Sequence, residues 1–329
     1  MSTFKALVTE EKAEGFVNTI QQLDMSILEK GEVVVAVSYS GINYKDYLSS
    51  KGNKGITRNY PHVPGIDVSG TVVSDKTNTF AKGEEVLVMG YDLGMNTDGG
   101  FAEYIAVPAA WVMRKPAKFT CKEAMILGTS AFTAALGIRK MLQMGQAPEQ
   151  GAVVVSGATG GVGLWAVQLL VKLGFEVWAI TGKASAASML ESLGVAKVFA
   201  REEAMGVAEK PLLRPRWAGA FDAVGGETLV SLLKQTSKSG SVATCGNVGG
   251  MGLSMTVFPF ILNGVNLLGI NAADTPMKER IAIWDFMEQI IEPSMLENKG
   301  ELITLEEVPA ALEQMGQSTH TGRFAIQIG

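Results

Sequence analysis

The stretch from Gly151 to Leu173, GAVVVSGATGGVGLWAVQLLVKL, restricts the possible folds more tightly than any other part of the chain. Ala152 to Ser156 is a short apolar, β-branched run, the composition of a strand buried on both faces of a parallel sheet. Glycines interrupt it. From Val162 onward Trp165, Ala166, Leu169, Leu170 and Leu173 recur at helical spacing, and Gly174 supplies the stop. A strand, a glycine turn and a helix in that order form a phosphate-binding unit, because glycines allow close backbone approach and the helix presents free N–H groups and its positive dipole end.

The spacing G-x-G-x-x-G is met by Ala158, Gly160 and Gly163 once alanine is accepted in the first place, with Gly157 and Gly161 as further small residues. Thr159, Gly160, Gly161 and Val162 are therefore the expected pyrophosphate cradle. A second strand is read over Glu176 to Thr181. An NAD-binding chain would place a carboxylate for the ribose 2′-hydroxyl after such a strand, but here Thr181, Gly182 and Lys183 follow. A cation and hydroxyls without a repelling carboxylate suit a 2′-phosphate, so the expected cofactor is NADPH.

At 329 residues the chain exceeds one ordinary core, and 47% hydrophobic residues with 38 glycines fit a globular α/β protein of two domains. A net charge of −5 argues against general nucleic-acid binding. The start MSTFKALVTEEK lacks a signal peptide's apolar core and no run of eighteen apolar residues occurs, so a cytoplasmic protein without membrane contact is expected. Cys121 and Cys245 form no C-x-x-C spacing and read as small buried residues, and with only His62 and His320 a zinc site of imidazole and thiolate ligands has almost no donors. His320 reads as a loop histidine.

Short strands are read at Phe4 to Thr9, Gly31 to Ser38, Val68 to Ser74, Glu85 to Met89 and Tyr104 to Pro108, giving a mostly-β domain over residues 1–122 and 298–329. Within it, Ser40 to Asp46 gathers Asn43, Tyr44, Lys45 and Asp46, and Pro61 to Asp67 sets a carboxylate after a rigid turn. Each segment reads equally as a functional loop or as a turn stabilised by its own Asn or Asp. A helix over 122–147, with Gly128-Thr129-Ser130 as a cap, opens the second domain, 123–297. There strands at Ala196 to Ala200, Ala218 to Val224, Ser241 to Gly246 and Val265 to Ile270 alternate with helices, which makes a doubly wound parallel sheet whose ligand edge carries Arg201 and Gly246. After the helix Lys278 to Ile291, the strand-like Arg323 to Ile328 is expected to return to the first domain's sheet.

Together GINYKD, PGIDVSG, GATGGVG, the TGK strand end, FDAVGG, the Pro259-Phe260-Ile261-Leu262 segment and TGRFAIQI resemble the zinc-free medium-chain dehydrogenase/reductases over essentially the whole chain. The group they resemble contains NADPH-dependent acrylyl-CoA reductases and quinone oxidoreductases. The resemblance implies a GroES-like catalytic domain beside a Rossmann domain. Zinc-dependent relatives carry a cysteine and a His-Glu pair where this chain has Asn43 and Ile66-Asp67. It further implies that Asn43, Tyr44, Asp46 and Asp67 serve catalysis, and that Tyr44, Thr159, Gly160, Gly161, Val162, Thr181, Gly182, Lys183, Arg201, Gly246 and Arg323 serve the cofactor. Tyr44 is read either as a proton donor or as packing under the nicotinamide. The expected activity is hydride transfer to an activated C=C bond, acryloyl-CoA to propionyl-CoA, with a quinone reductase or a non-catalytic NADPH sensor as alternatives. Lys45, Lys51, Lys54 and Arg58 are the cations a coenzyme A tail would use. A homodimer is expected through the apolar strand Val265 to Ile270.

Overall fold

The computed structural model describes residues 2–205, 210–297, 300–317 and 320–329. In chain order the elements begin with β1 (Thr3–Lys12), β2 (Gly15–Asp24), β3 (Val33–Gly41), α1 (Tyr44–Ser50), β4 (Asp67–Asp75), β5 (Glu85–Met89), β6 (Tyr104–Val107), β7 (Val112–Arg114) and α2 (Cys121–Gln143). Next come β8 (Val153–Ser156), α3 (Gly161–Lys172), β9 (Val177–Thr181), α4 (Ala187–Ser192), β10 (Val195–Ala200), α5 (Arg201–Ala204), β11 (Gly219–Asp222), α6 (Gly226–Lys234), β12 (Ser241–Thr244), α7 (Phe258–Asn263) and β13 (Asn266–Gly269). The chain finishes with α8 (Met277–Ile290), β14 (Gly300–Thr304), α9 (Val308–Gly316) and β15 (Arg323–Gln327). No helix among the described residues is long and apolar enough to cross a membrane.

Two compact units result, one from residues 1–129, 273–288 and 292–329, the other from 130–272 and 289–291. The sequence put 123–297 wholly in the second domain, whereas 123–129, 273–288 and 292–297 fall in the first unit, the largest of these pieces being the one that carries α8. Packing explains the difference: α8 sets the buried Trp284 edge-on to Phe119 and the Arg280 guanidinium 4.7 Å from the Tyr91 ring centroid.

In the first unit β14, β15, β3, β4, β5 and β7 form one sheet in that order, with β6 pairing β3, and β1 pairs β2 as a separate hairpin. Inward Val33, Val35, Val68, Val86, Val88 and Ile105 build one core cluster, while Phe4, Leu7, Ile42, Phe101, Leu312 and Phe324 build another. The hairpin partner β2 was not read from the sequence, because GFVNTIQQLD is mostly polar and its side chains are only partly buried. The last strand does return to this sheet, pairing antiparallel to β3 with Ala325 opposite Gly41.

The second unit's sheet runs β10-β9-β8-β11-β12-β13, all parallel. Every residue of β8 is buried, as its unbroken Val-Val-Val run requires. The chain leaves β8 toward β9 and β10 on one side and continues on the other with β11, so the order of strands reverses beside the C-terminal ends of β8 and β11. Ligands of open α/β sheets bind at such a reversal.

Candidate active site

In the first unit the segment read as a loop at Ser40 to Asp46 is the end of β3 followed by the start of a helix. Asn43, in an extended conformation, is the N-cap of α1, and its N–H donates to Asp46 Oδ2 at 2.7 Å. Asp46 Oδ1 accepts the N–H groups of Gly65 and Ile66 at 3.1 and 3.0 Å. Full burial pushes the Asp46 carboxyl up to about 7, with the neighbouring Asp67 charge adding to the rise and the amide of Asn43 opposing it. One carboxyl thus ties the start of α1 to the turn leading into β4.

Strand register brings the next residues together. Extending the β15–β3 pairing by two residues beyond Ala325 and Gly41 sets Arg323 opposite Asn43, and Asp67 opens β4 beside Gly41. Asn43 Nδ2 donates to Asp67 Oδ2 at 2.9 Å, and Asn43 Oδ1 accepts from Arg323 Nη1 at 2.8 Å. Arg323 Nη2 is ion-paired with Asp67 Oδ2, and Arg323 Nε donates to the Met125 carbonyl at 2.7 Å. Asp67 also accepts Thr129 Oγ1 at 2.5 Å and the Thr129 N–H at 2.9 Å. The ion pair is buried, and its hydrogen bonds offset the cost of removing both charges from water.

Gly128 makes that arrangement possible. Its φ of +46° and ψ of −155° break α2, freeing the Thr129 amide to turn toward Asp67. A Cβ at Gly128 would lie 2.1 Å from Arg323 Nη2. The sequence placed Gly128 to Ser130 as a helix cap and so marked the break, but it gave no sign of the carboxylate being capped.

In the second unit the glycine turn has the geometry of an anion cradle. Gly160 is the N-cap of α3 with no capping side chain, and the first helical bond, from Leu164 N–H to the Gly160 carbonyl, is 2.8 Å. The amides of Gly161, Val162 and Gly163 precede that bond and so have no partner within the helix. A Cβ at Gly163 would lie 2.2 Å from the Gly157 carbonyl oxygen, so the turn closes this tightly only with glycine. Thr159 Oγ1 stands 3.4 Å from Thr181 Oγ1, which accepts the Lys183 N–H at 3.0 Å. Arg201, the first residue of α5, brings Nη2 to 3.8 Å from where a Gly182 Cβ would stand, and partial burial lowers the Lys183 pKa. Gly246 crosses so near Ala223 that its Cβ would meet the Ala223 carbonyl oxygen at 2.1 Å. These residues fit a dinucleotide whose pyrophosphate caps α3 and whose 2′-phosphate lies by Gly182.

The described residues contain no group of three or more His, Cys, Asp or Glu side chains that could hold a metal ion. Residues 29–117 match the model of the alcohol dehydrogenase GroES-like domain, and residues 161–289 match that of the zinc-binding dehydrogenases. YhfP of Bacillus subtilis, provisionally named a quinone oxidoreductase, is 43% identical over all of both chains. Acrylyl-CoA reductase AcuI of Ruegeria pomeroyi is 38% identical over 99% of each. The chain belongs to the zinc-free medium-chain dehydrogenase/reductases. Among solved medium-chain structures, the yhdH oxidoreductase of Salmonella enterica in complex with NADP matches with a TM-score of 0.96 and 38% identity, covering 99% of this chain and 100% of that one. Bacillus subtilis yhfP with NAD bound matches at 0.96 with 42% identity, over the same shares.

Against this medium-chain frame the expected site residues separate. Asp46 and Asp67 are wholly buried and Asn43 is 9% exposed, whereas Tyr44 presents 42% of its surface, its ring 5.7 Å from that of Tyr47. The guanidinium of Arg323, a residue expected beside the cofactor, is engaged by Asp67, Asn43 and the Met125 carbonyl, partners that strand register and not sequence neighbourhood supplies. Two of the four cations read as a coenzyme A site are paired with acids, Lys51 with Glu313 and Lys54 with Glu11. Thr129 and Asp222 were read only as part of the Gly128-Thr129-Ser130 cap and of the FDAVGG motif, without a role in a site, and the Met125 carbonyl was not read at all. Burial and the Asp222 charge push the thiol of Cys245, near the sheet's ligand edge, up to about 12.

Proposed function

We propose that this protein is an NADPH-dependent reductase that acts on an electron-poor C=C bond, converting acryloyl-CoA to propionyl-CoA. The observation that carries the cofactor assignment is the Arg201 guanidinium beside Gly182, where the Thr181-Gly182-Lys183 segment that ends β9 has no carboxylate. A planar guanidinium suits a 2′-phosphate, and the NADP of the Salmonella structure agrees with it. The acceptor assignment draws support from the AcuI relative.

When bound, NADPH would supply a hydride for the β-carbon of the enoyl thioester, and solvent would supply the proton that the α-carbon takes up. The protein's residues bind and orient. Thr159, Gly160, Gly161 and Val162 receive the pyrophosphate, Thr181, Gly182, Lys183 and Arg201 receive the 2′-phosphate, and Gly246 lies along the cofactor. Tyr44 is the side chain we assign to the acceptor, as donor to the developing enolate oxygen. Asn43, Asp46, Asp67 and Arg323 act through it, holding the first turn of α1 rigid.

The second reading, a quinone reductase, is favoured by the pairing of Lys51 and Lys54, which leaves Lys45 and Arg58 for coenzyme A phosphates. NADPH oxidation measured with acryloyl-CoA and separately with benzoquinone decides between them. A much larger kcat/KM for the thioester is expected; preference for the quinone transfers the assignment, and no turnover with any electrophile leaves a sensor. We further propose a homodimer in which the edge strand β13 pairs with its copy across a twofold axis, supported by the exposed Ile261 and Leu262 just before it. Light scattering should give twice 34.9 kDa; the monomer mass rejects the dimer.

A further inference from the structure

One buried carboxylate joins the ends of three strands in the second unit. Asp222, the last residue of β11, accepts Ser156 Oγ at 2.6 Å and the Val224 N–H at 3.2 Å on Oδ1, and Thr244 Oγ1 at 2.9 Å and the Gly225 N–H at 3.0 Å on Oδ2. Ser156 and Thr244 end β8 and β12 and lie in register with Asp222 on its two sides. Ser156 Oγ also accepts the Ala223 N–H at 3.1 Å. Beyond Ser156 comes the phosphate turn. Beyond Thr244 comes the loop Cys245–Gly250, whose Gly249 N–H bonds the Val224 carbonyl at 2.8 Å.

Burying a carboxylate carries a desolvation cost that its hydrogen bonds must offset, and neighbouring strands of a sheet pair through their backbones without one. Asp222 has no ion-pair partner among the described residues; hydroxyls and amides stand in for a counter-ion. A carboxylate can accept at both oxygens at once, whereas an asparagine would leave the Val224 or the Gly225 amide facing an NH2 group.

We propose that Asp222 is a positioning residue that, through Ser156 and Thr244, holds the phosphate turn after β8 and the loop after β12 in one register, so that the two ends of an NADPH molecule are received together. This deepens the NADPH reading above and rests on it. The cradle alone would bind the phosphates, but with the two loops independent the cofactor would have to order them itself.

The test measures calorimetric Kd for NADPH and for 2′-AMP, which carries the 2′-phosphate but neither pyrophosphate nor nicotinamide. Thr244→Val and Ser156→Ala should each weaken NADPH about tenfold, the loss of one hydrogen bond to a charged group, and leave 2′-AMP within about twofold. Thr244→Ser, which keeps the hydroxyl, should bind NADPH as the unmutated protein does. The double variant should lose less than the product of the two single losses, because both act through one carboxylate. Unchanged NADPH affinity in both single variants overturns the proposal, as does an equal loss of 2′-AMP or an equal loss in Thr244→Ser. The unmutated protein separates this failure from that of the cofactor reading: if it binds neither ligand, the reading itself fails and the inference with it.

Discussion

Arg323 and Asp67 form an ion pair that neither can leave without stranding the other in a buried site. Removing one partner of such a pair typically costs about 3–5 kcal/mol, because the remaining charge loses both water and counter-ion. Arg323→Met is therefore expected to lower the unfolding free energy by about that amount in urea titrations. Loss of under ~1 kcal/mol would mean the pair behaves as a solvent-exposed one. Asp46 gives a pH signature. Its carboxyl rises from 3.8 to about 7 on folding, so the folded protein holds a proton there that the unfolded chain releases. Its contribution to stability is full below 3.8 and is lost as pH rises through 7. The stability margin of the unmutated protein over Asp46→Asn should thus shrink between those limits; a margin that widens with pH reverses the assignment.

At the scale of elements, the parallel sheet was legible because each strand announces itself: the three valines of β8 and the glycine break before α3 admit few other arrangements. The partly exposed β2 and the seven residues of α1 were not, since their patterns are set by what they pack on. Substitutions in the cradle test its geometry. Gly163→Ala must push a methyl group against the Gly157 carbonyl, so NADPH affinity should fall more than about tenfold while 2′-AMP affinity holds. Equal affinity for NADPH would show that the turn relaxes freely. On the neighbouring strand end, Arg201→Ala should raise the KM for NADPH and hardly alter that for NADH, and an equal effect on both cofactors would remove Arg201 from the 2′-phosphate.

Across the whole molecule, the sequence showed which residue types stand at strand ends and turns, and hid which of them hydrogen-bond to one another when they are distant in the chain. Thr181, Gly182 and Lys183 are consecutive and were read as one site; Asn43, Asp67, Thr129 and Arg323 come from four elements, and no spacing rule links them. Arg323 shows the limit well: its type is visible in TGRF, but its partner is fixed by the pairing of β15 with β3.

That separation also has a meaning in time. Asp67 and Arg323 lie 256 residues apart, and a ribosome adding about 5–20 residues per second needs roughly 10–50 s to cover the distance. For that interval the newly made β3 has an open edge where β15 will lie, and Asp67 waits in water for its cation. The first unit is begun early in synthesis and closed late. Its least protected moment falls on the ribosome, which makes chaperone demand and nascent-chain proteolysis the places where defects at Arg323 would surface before any assay of the finished protein.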